Sequence, residues 1–394
     1  MILLSMCLTT LFAFLFLKRI LTIRANKTNL NPPPSPWRFP VIGNLYQLSL
    51  NPHRSLCSLS LHYGPLMLLH FGRVPILVVS SADYAHEVLK SHDIKFSNRP
   101  KSRVAQKLFN GGRDLALAPY GEYRRHFKSI CVMNLLSNKT VRSFGNIREE
   151  EINVMIRKLE KASSSSSPVN LSEILMTLTN DVMTRVVLGR KYSSEEGGKN
   201  SKNIVRRLME LMGAFPIGEY IPSLAWIDKI RGFDKKVETV KNEIRSFLEK
   251  VVEEHVDAEE NRSDFTDMLL SIQKDKTTPI KLDRTALKNL LLVLINVWAI
   301  QRDIVTWGSD AEEFRPERHL DSFVDFQGRR KCPGIGFALA LAELTIANLV
   351  KRFDWRVKIG PLGDDKPDLV EANGIDVCRK FPLIIYPDSN LFSM

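Results

Sequence analysis

The sequence predicts a mainly α-helical domain carrying small β-sheets, and three observations predict it. Apolar residues recur at helical spacing through residues 145–160, 171–190 and 205–256. Two apolar runs, Leu66–Phe71 and Ile76–Ser80, have instead the length of strands, with Gly72-Arg73 as the turn between them. Finally, Gly328–Gly336 is a glycine-bracketed turn that delivers one cysteine, Cys332, to the start of an apolar helix running to Val350.

That last stretch organises the chain. Pro333 and Gly334 punctuate it, and Ala338, Leu339, Ala342, Ile346 and Leu349 recur on one side of the helix that follows. A sulfur just ahead of a helix start meets unpaired N–H groups and the positive end of the helix dipole, which favours the thiolate, the metal-ligating form. Arg330 stands two residues earlier, where it can pair with an anion on the same ligand. A bare Cys-Pro-Gly is more often a surface turn with a free cysteine, but two other segments precede it in order: Asn296-Val-Trp298-Ala-Ile300 and Phe314-Arg315-Pro316-Glu317-Arg318. Together, Gly328-x-Arg330-x-Cys332-x-Gly334 and these segments resemble the haem signature of cytochromes P450, their Pro-Glu-Arg-Phe segment and, in plant members, the strand leading into that segment. The resemblance is closest to plant members of the seventy-one clan and covers nearly all of the chain. It implies a P450 fold holding haem b, with Cys332 as the axial iron ligand that pushes electron density toward O–O cleavage, and with Gly328, Arg330 and Gly334 around it.

With 44% hydrophobic and 25% charged residues, a chain of 394 residues buries a sizeable core and is not disordered. The five cysteines (Cys7, Cys57, Cys131, Cys332, Cys378) are odd in number and unpaired in spacing. That argues against a disulfide framework or zinc site and for a reducing compartment. The net charge of +12 is spread along the chain without an aromatic-interleaved basic block, so no nucleic-acid partner is expected. Such a surface is a solvated face, or it attracts an anionic membrane or an acidic electron donor.

Residues 1–23 read as an N-terminal membrane anchor. Met1–Leu17 is apolar apart from Ser5, Thr9 and Thr10, and at ~1.5 Å per residue it reaches about 26 Å. Ile20–Ile23 extend it toward the ~30 Å of a hydrocarbon core, while Lys18 and Arg19 snorkel. A cleaved signal peptide is the rival reading, but no positive charge precedes the run and no small-residue cleavage site ends it. Lys18, Arg19, Arg24 and Lys27 place the body in the cytosol by charge bias. Residues 24–44 form a basic, proline-rich hinge: Pro32–Trp37 cannot be helical and makes a stiff spacer, similar to that of microsomal P450s. Residues 45–394 then form the P450-like domain.

In that domain, residues 51–96 should hold a helix, the two strands and a helix over Ala82–Ser91. Phe96–Pro100 opens a loop to about Ala118, which in the family borders the substrate pocket. Ala118–Lys128 resembles the family's helix over a haem edge, where Trp, three residues and then Arg reach a propionate. Here Arg124 and Lys128 occupy those two positions, and a lysine offers a point charge without the bidentate fork. Ser163–Pro168 and Gly197-Gly198 mark loops. Phe215–Pro222 separates two long helices between Val205 and Val256, a region like the family's lid over the substrate channel. Phe265–Ile272 and Asp283–Ile295 should begin two more helices, with Asp283 as N-cap. Strands near Asp376–Arg379 and Leu383–Tyr386 close the chain.

The pattern departs from the family at two places. The apolar run Leu290–Ile295 should enter the long central helix, whose family continuation carries an acid and a hydroxyl that relay protons to bound oxygen. Ile295 runs instead into Asn296, a segment that belongs far downstream. At ~11–12 residues per helix plus connections, roughly a hundred residues are missing across 295/296. The acid–alcohol pair is among them, so no catalytic residue is assigned. The Glu-x-x-Arg helix is missing too: Glu122/Arg125, Glu259/Arg262 and Glu312/Arg315 have the spacing but not the family's order. Arg318 therefore loses the helix it would pair with. A shorter gap near 328/329 puts Asp325 where the family has Phe, with Phe326 off by one. The resemblance implies a monooxygenase acting on a small lipophilic substrate, with NADPH electrons delivered by a P450 reductase. It further implies a single-pass place in the endoplasmic reticulum membrane, with the catalytic domain cytosolic. The competing expectation is a membrane-anchored remnant without catalysis.

Overall fold

The computed structural model describes residues 31–109, 114–192, 201–256, 264–266, 292–319, 328–357, 370–372 and 378–389. Helix α1 (Pro52–Tyr63) opens on a proline, whose missing N–H costs nothing in a first turn, and stops at Gly64, φ +95°. Strands β1 (Leu66–Phe71) and β2 (Val74–Val79) pair antiparallel around Gly72, φ +58°. A β-carbon on Gly72 would lie 2.2 Å from the Tyr220 carbonyl oxygen, so glycine is required there. Next come α2 (Ala82–His86) with a π-turn over Glu87–Ser91, α3 (Arg103–Leu108), α4 (Glu122–Asn134), α5 (Asn138–Ser143) and α6 (Gly145–Ser164). Helix α3 lies in the span expected to be loop. Ser102 caps it, and Val104, Ala105 and Leu108 are buried. Val104 and Leu108 pack with Val237 and Val240.

β3 (Val169–Asn170) precedes α7 (Leu171–Leu188), which Asn170 caps by accepting the Glu173 N–H at 3.0 Å. Left-handed Gly189 ends it. The lid-like region holds α8 (Ser201–Gly213), α9 (Ile217–Tyr220), α10 (Ala225–Ile230) and α11 (Phe233–Val256). The two expected long helices are α8 and α11, and two short ones fill the interval. Then come β4 (Leu292–Ile295), α12 (Val297–Ile300), α13 (Ile304–Trp307) and α14 (Ile335–Arg352). Strands β5 (Phe353–Val357), β6 (Glu371–Ala372), β7 (Cys378–Arg379) and β8 (Ile384–Ser389) finish the chain. The sheets run β1-β2-β4, β3-β8-β5 and β6-β7.

The main core joins Ile152, Met155, Ile156 and Leu159 of α6 to Leu178, Val182 and Val186 of α7. Phe337, Leu341 and Leu349 of α14 join it, with Val141 of α5 and Phe353 of β5. Each such side chain contributes about 1.5–3 kcal/mol. The spacing of four along α7 and α14 puts one stripe of each inward. Of the apolar stripe expected on α14, Leu349 is buried while Ala338, Leu339, Ala342 and Ile346 are exposed, and the buried side is Phe337, Leu341, Thr345 and Leu349. Alanines dilute the sequence signal there, because they fit either side.

The larger correction concerns Leu292–Ile295. It does not enter a helix but pairs parallel with β2, Ile76 opposite Leu292 through Val79 opposite Ile295. Val293 and Ile295 pack with Val79, Ala85, Val88 and Ile300. Leu294 packs on the opposite face with the cluster of Leu56, Met67 and Ile76. A strand that packs apolar side chains on both faces is apolar throughout, and periodicity cannot separate it from a buried helix. The Asn296 N–H donates to the Val79 carbonyl at 2.8 Å. The ladder therefore runs through 295/296 without a break. Asn296 is itself the cap of α12, so Asn296–Ile300 is a helix start rather than a strand.

Three further expectations meet the structure. The proline-rich segment is no free spacer over its described part: Leu68 donates to the Pro34 carbonyl, and buried Asn44 donates to those of Pro36 and Trp37. Arg318 is not orphaned, because Asp310 receives it at 2.9 Å through its carboxylate and at 3.0 Å through its carbonyl. Among the described residues no helix is long and apolar enough to cross a membrane. The expected anchor (1–23), Gly197-Gly198, Asp283, Asp325 and Phe326 lie outside the described residues.

Candidate functional site: a cysteine turn beside a buried cation cluster

The cysteine turn is closed by Lys331 N–H donating to the Gly328 carbonyl at 2.9 Å, and α14 starts three residues after Cys332 with Gly334 as its cap. Gly328 packs against the π-turn: a β-carbon there would lie 2.6 Å from the Leu89 carbonyl oxygen. Gly334 has φ −85°, and a β-carbon would stand 3.8 Å from Cys332 Sγ. Its bareness keeps the flank of the sulfur open rather than serving the backbone. Cys332 is exposed and so is Cys378, while Cys131 is buried and Cys57 partly so. Burial pushes both Cys57 and Cys131 up, toward the neutral thiol. Cys378 lies in β7, away from any helix start. Among the described cysteines, only Cys332 joins exposure to a helix entrance.

Arg330 points inward. Its Nε donates to the Ser97 carbonyl at 2.5 Å and its Nη2 to the Ala118 carbonyl at 2.7 Å, while buried Nη1 has no partner. Burial first, then Arg124 and Arg99, push this guanidinium down to about 10. Its neighbour Arg329 turns the other way, onto Asp93 at 2.6 Å and the Tyr120 hydroxyl at 3.0 Å. On α4, Arg124 is only 4% exposed and its Nε is also unpartnered. Burial, with Arg99 next, lowers its value. Lys128 lies one turn further on and is lowered by burial, then by Arg124, Lys331 and Arg329. The structure therefore brings Arg124, Lys128 and Arg330 into one electrostatic neighbourhood. Arg99 belongs there as well. The sequence marked it only as part of a loop, and its position beside Pro100 in the segment bordering the pocket was the available signal.

Buried guanidiniums with unpartnered N–H groups are costly unless an anion reaches them. A group that suits this neighbourhood carries carboxylates toward Arg124 and Arg330 and presents a metal to the exposed thiol of Cys332. Haem has that donor requirement, and the residues present fit it. No group of three or more His, Cys, Asp or Glu able to hold a bare metal ion occurs among the described residues.

A cytochrome P450 family profile matches residues 32–293 and again 277–375. An Arabidopsis thaliana protein named indoleacetaldoxime dehydratase is 49% identical over 491 residues, covering 98% of each chain. Cytochrome P450 71A20 of the same plant is 49% identical over 497 residues, covering 99% of each. Since 98% of 394 residues is about 386, roughly a hundred of the 491 aligned positions find no residue in this chain. The two profile matches overlap over 277–293, up to the first residues of β4. A solved zebrafish cytochrome P450, in a structure with progesterone, matches with a TM-score of 0.64 at 20% identity, covering 86% of this chain and all of that one. That match concerns the fold. The sequence relatives and the family profile together make this chain a member of the cytochrome P450 monooxygenase family, of the plant seventy-one type.

Proposed function

We propose that the chain is a haem-thiolate enzyme that oxidises a small lipophilic substrate with O2 and with electrons passed from NADPH by a membrane reductase. The observation that carries the reading is the pairing of an exposed cysteine at the entrance of α14 with two buried guanidiniums that lack an anion. Haem bound there would supply the redox chemistry, with thiolate ligation favouring O–O cleavage. Cys332 would hold the iron. Arg330 and Arg124 would hold the carboxylates, with Lys128 adding a screened point charge. Gly328 keeps the turn tight against Leu89, and Gly334 leaves the sulfur uncovered. The apolar run of residues 1–17 supports a place on the endoplasmic reticulum membrane, with the basic body facing the cytosol.

A second reading draws on the relative named as an aldoxime dehydratase. Removing water from an oxime gives a nitrile and consumes neither O2 nor donor electrons. It therefore does not call on the acid–hydroxyl relay that this sequence lacks. Losing general-acid help costs an oxidative step ~10²–10⁴ in rate.

The test is the carbon monoxide difference spectrum of the reduced, haem-supplemented protein, followed by turnover with and without NADPH. A thiolate-type Soret band with NADPH-dependent product supports the monooxygenase. The same band with NADPH-independent nitrile formation supports the dehydratase. Folded protein without the band is a non-catalytic remnant.

A further inference from the structure

We propose that Arg329 is a positioning residue for Cys332: with Asp93 and Tyr120 it forms a partly exposed strut that fixes the cysteine turn to the N-terminal part of the chain. The inference goes beyond the haem reading, because Arg329 turns away from Arg330 and is given no part in holding the cofactor. Its Nε donates to Asp93 Oδ2 at 2.6 Å and its Nη1 to the Tyr120 hydroxyl at 3.0 Å. The guanidinium also stands 5.4 Å from the centre of the Tyr120 ring, over which Arg125 lies at 5.9 Å. The segments it joins, one following the π-turn and one leading into α4, are tied to each other directly as well. There the Tyr120 N–H donates to Asn98 Oδ1 at 2.8 Å. Arg330 bridges the same two segments through the carbonyls of Ser97 and Ala118. Two successive residues of the turn therefore each span both segments, from opposite sides.

The two arginines differ in character. The bond to Asp93 raises Arg329 above its usual value, whereas burial lowers Arg330 to about 10. Arg329 is thus a paired charge whose place is set by the protein alone. Cys332 is exposed, so its sulfur takes its position from the backbone of the turn. That turn is closed by the Lys331 N–H donating to the Gly328 carbonyl at 2.9 Å, and Arg329 lies between those two residues. The side chains of Arg329 and Asp93 are 40% and 23% exposed, and an ion pair this open adds little to global stability. Its effect is local: it resists opening of the turn without holding the rest of the fold. A planar guanidinium suits the task, because two of its nitrogens reach two partners at once, which an ammonium cannot do in one fixed plane.

The experiment uses the full chain and has two arms. The first, without haem, reads hydrogen exchange at the Lys331 amide beside amides in the middle of α14. Arg329→Gln should speed exchange at Lys331 at least fivefold and leave the α14 amides within about twofold of wild type. The second arm rests on the haem reading: the reduced carbon monoxide spectrum of haem-supplemented protein, in which Arg329→Gln should cut the thiolate-type share at least threefold. Tyr120→Phe, which keeps the ring and the Asp93 pair, should show a smaller change in both. The decisive variant exchanges the partners, Asp93→Arg with Arg329→Asp. It restores an ion pair between the same two positions and should return both readouts to within about twofold of wild type. The strut is overturned if Arg329→Gln leaves Lys331 exchange unchanged. It is equally overturned if exchange rises alike along α14, which is a merely structural loss, or if the exchanged pair does no better than Arg329→Gln, which means that charge alone acts. If wild type takes up no haem, the haem reading falls, and the exchange arm still decides the strut.

Discussion

A β-carbon placed on Gly328 would lie 2.6 Å from the carbonyl oxygen of Leu89 and 3.0 Å from its Cβ. Two segments far apart in sequence, the π-turn after α2 and the turn ahead of Cys332, therefore touch backbone to backbone. Arg330 continues the same seam, reaching Ser97 and Ala118. The cysteine is thus positioned by the N-terminal third of the chain as well as by the helix it precedes.

Gly328→Ala should push the turn away from Leu89. Overpacking of this kind costs about 1–3 kcal/mol, and here it also displaces Arg330 and Cys332. The expected result is a lower urea midpoint and a lower haem content per folded molecule. Equal haem content with an unchanged midpoint would mean that the contact is not tight in solution.

Asn296 tests the strand that replaces the expected helix. Its side chain donates to the His53 carbonyl at 2.9 Å and accepts the Ala299 N–H at 3.3 Å, and the residue is 3% exposed. Asn296→Ala removes the side-chain bond to the His53 carbonyl and the side-chain cap, together worth about 1–3 kcal/mol. Asn296→Asp keeps the cap acceptor but sets a buried carboxylate oxygen against the His53 carbonyl, so it should be destabilised at least as much as Asn296→Ala. Hydrogen exchange should show the Asn296 amide protected with β2. A freely exchanging amide there would contradict the β2–β4 pairing.

Glu371 gives the pH dependence. Arg54 binds its carboxylate with two bonds, at 2.8 and 2.9 Å, and His53 adds another at 2.9 Å. The bond to Arg54, with help from His53, lowers this carboxyl from its usual 4.5 to about 2. A carboxyl depressed by folding stabilises the native state above its unfolded value, and that contribution is lost as pH falls toward the folded value. The urea midpoint of the wild type should therefore exceed that of Glu371→Gln at pH 5, and the two should converge between pH 4.5 and pH 2. A constant difference across that range would mean that the ion pair contributes nothing to stability.

Much of the fold was legible in the sequence. Ile152, Ile156 and Leu159 repeat at helical spacing with a polar far side, so α6 could be read directly. The Gly72 turn and its flanking runs marked β1 and β2. Cys332 and Arg330 were legible as a pair because turn chemistry is local. Three features were not. Val293 and Ile295 pack on one side of β4 and Leu294 on the other, so the run is apolar throughout and has no period to read. The inward face of α14 could not be told from the outward one among its alanines. Asp310 as the partner of Arg318, and Arg99 as a neighbour of Arg124, are set by tertiary placement that no spacing encodes.

The most direct measurement is the reduced carbon monoxide spectrum of Cys332→Ser beside that of Cys378→Ser, both folded and haem-supplemented under reducing conditions. Both cysteines are exposed, so accessibility alone does not distinguish them. Cys332→Ser should lose the thiolate-type band and Cys378→Ser should keep it. A thiolate band that survives in Cys332→Ser would contradict the assignment of Cys332 as the iron ligand.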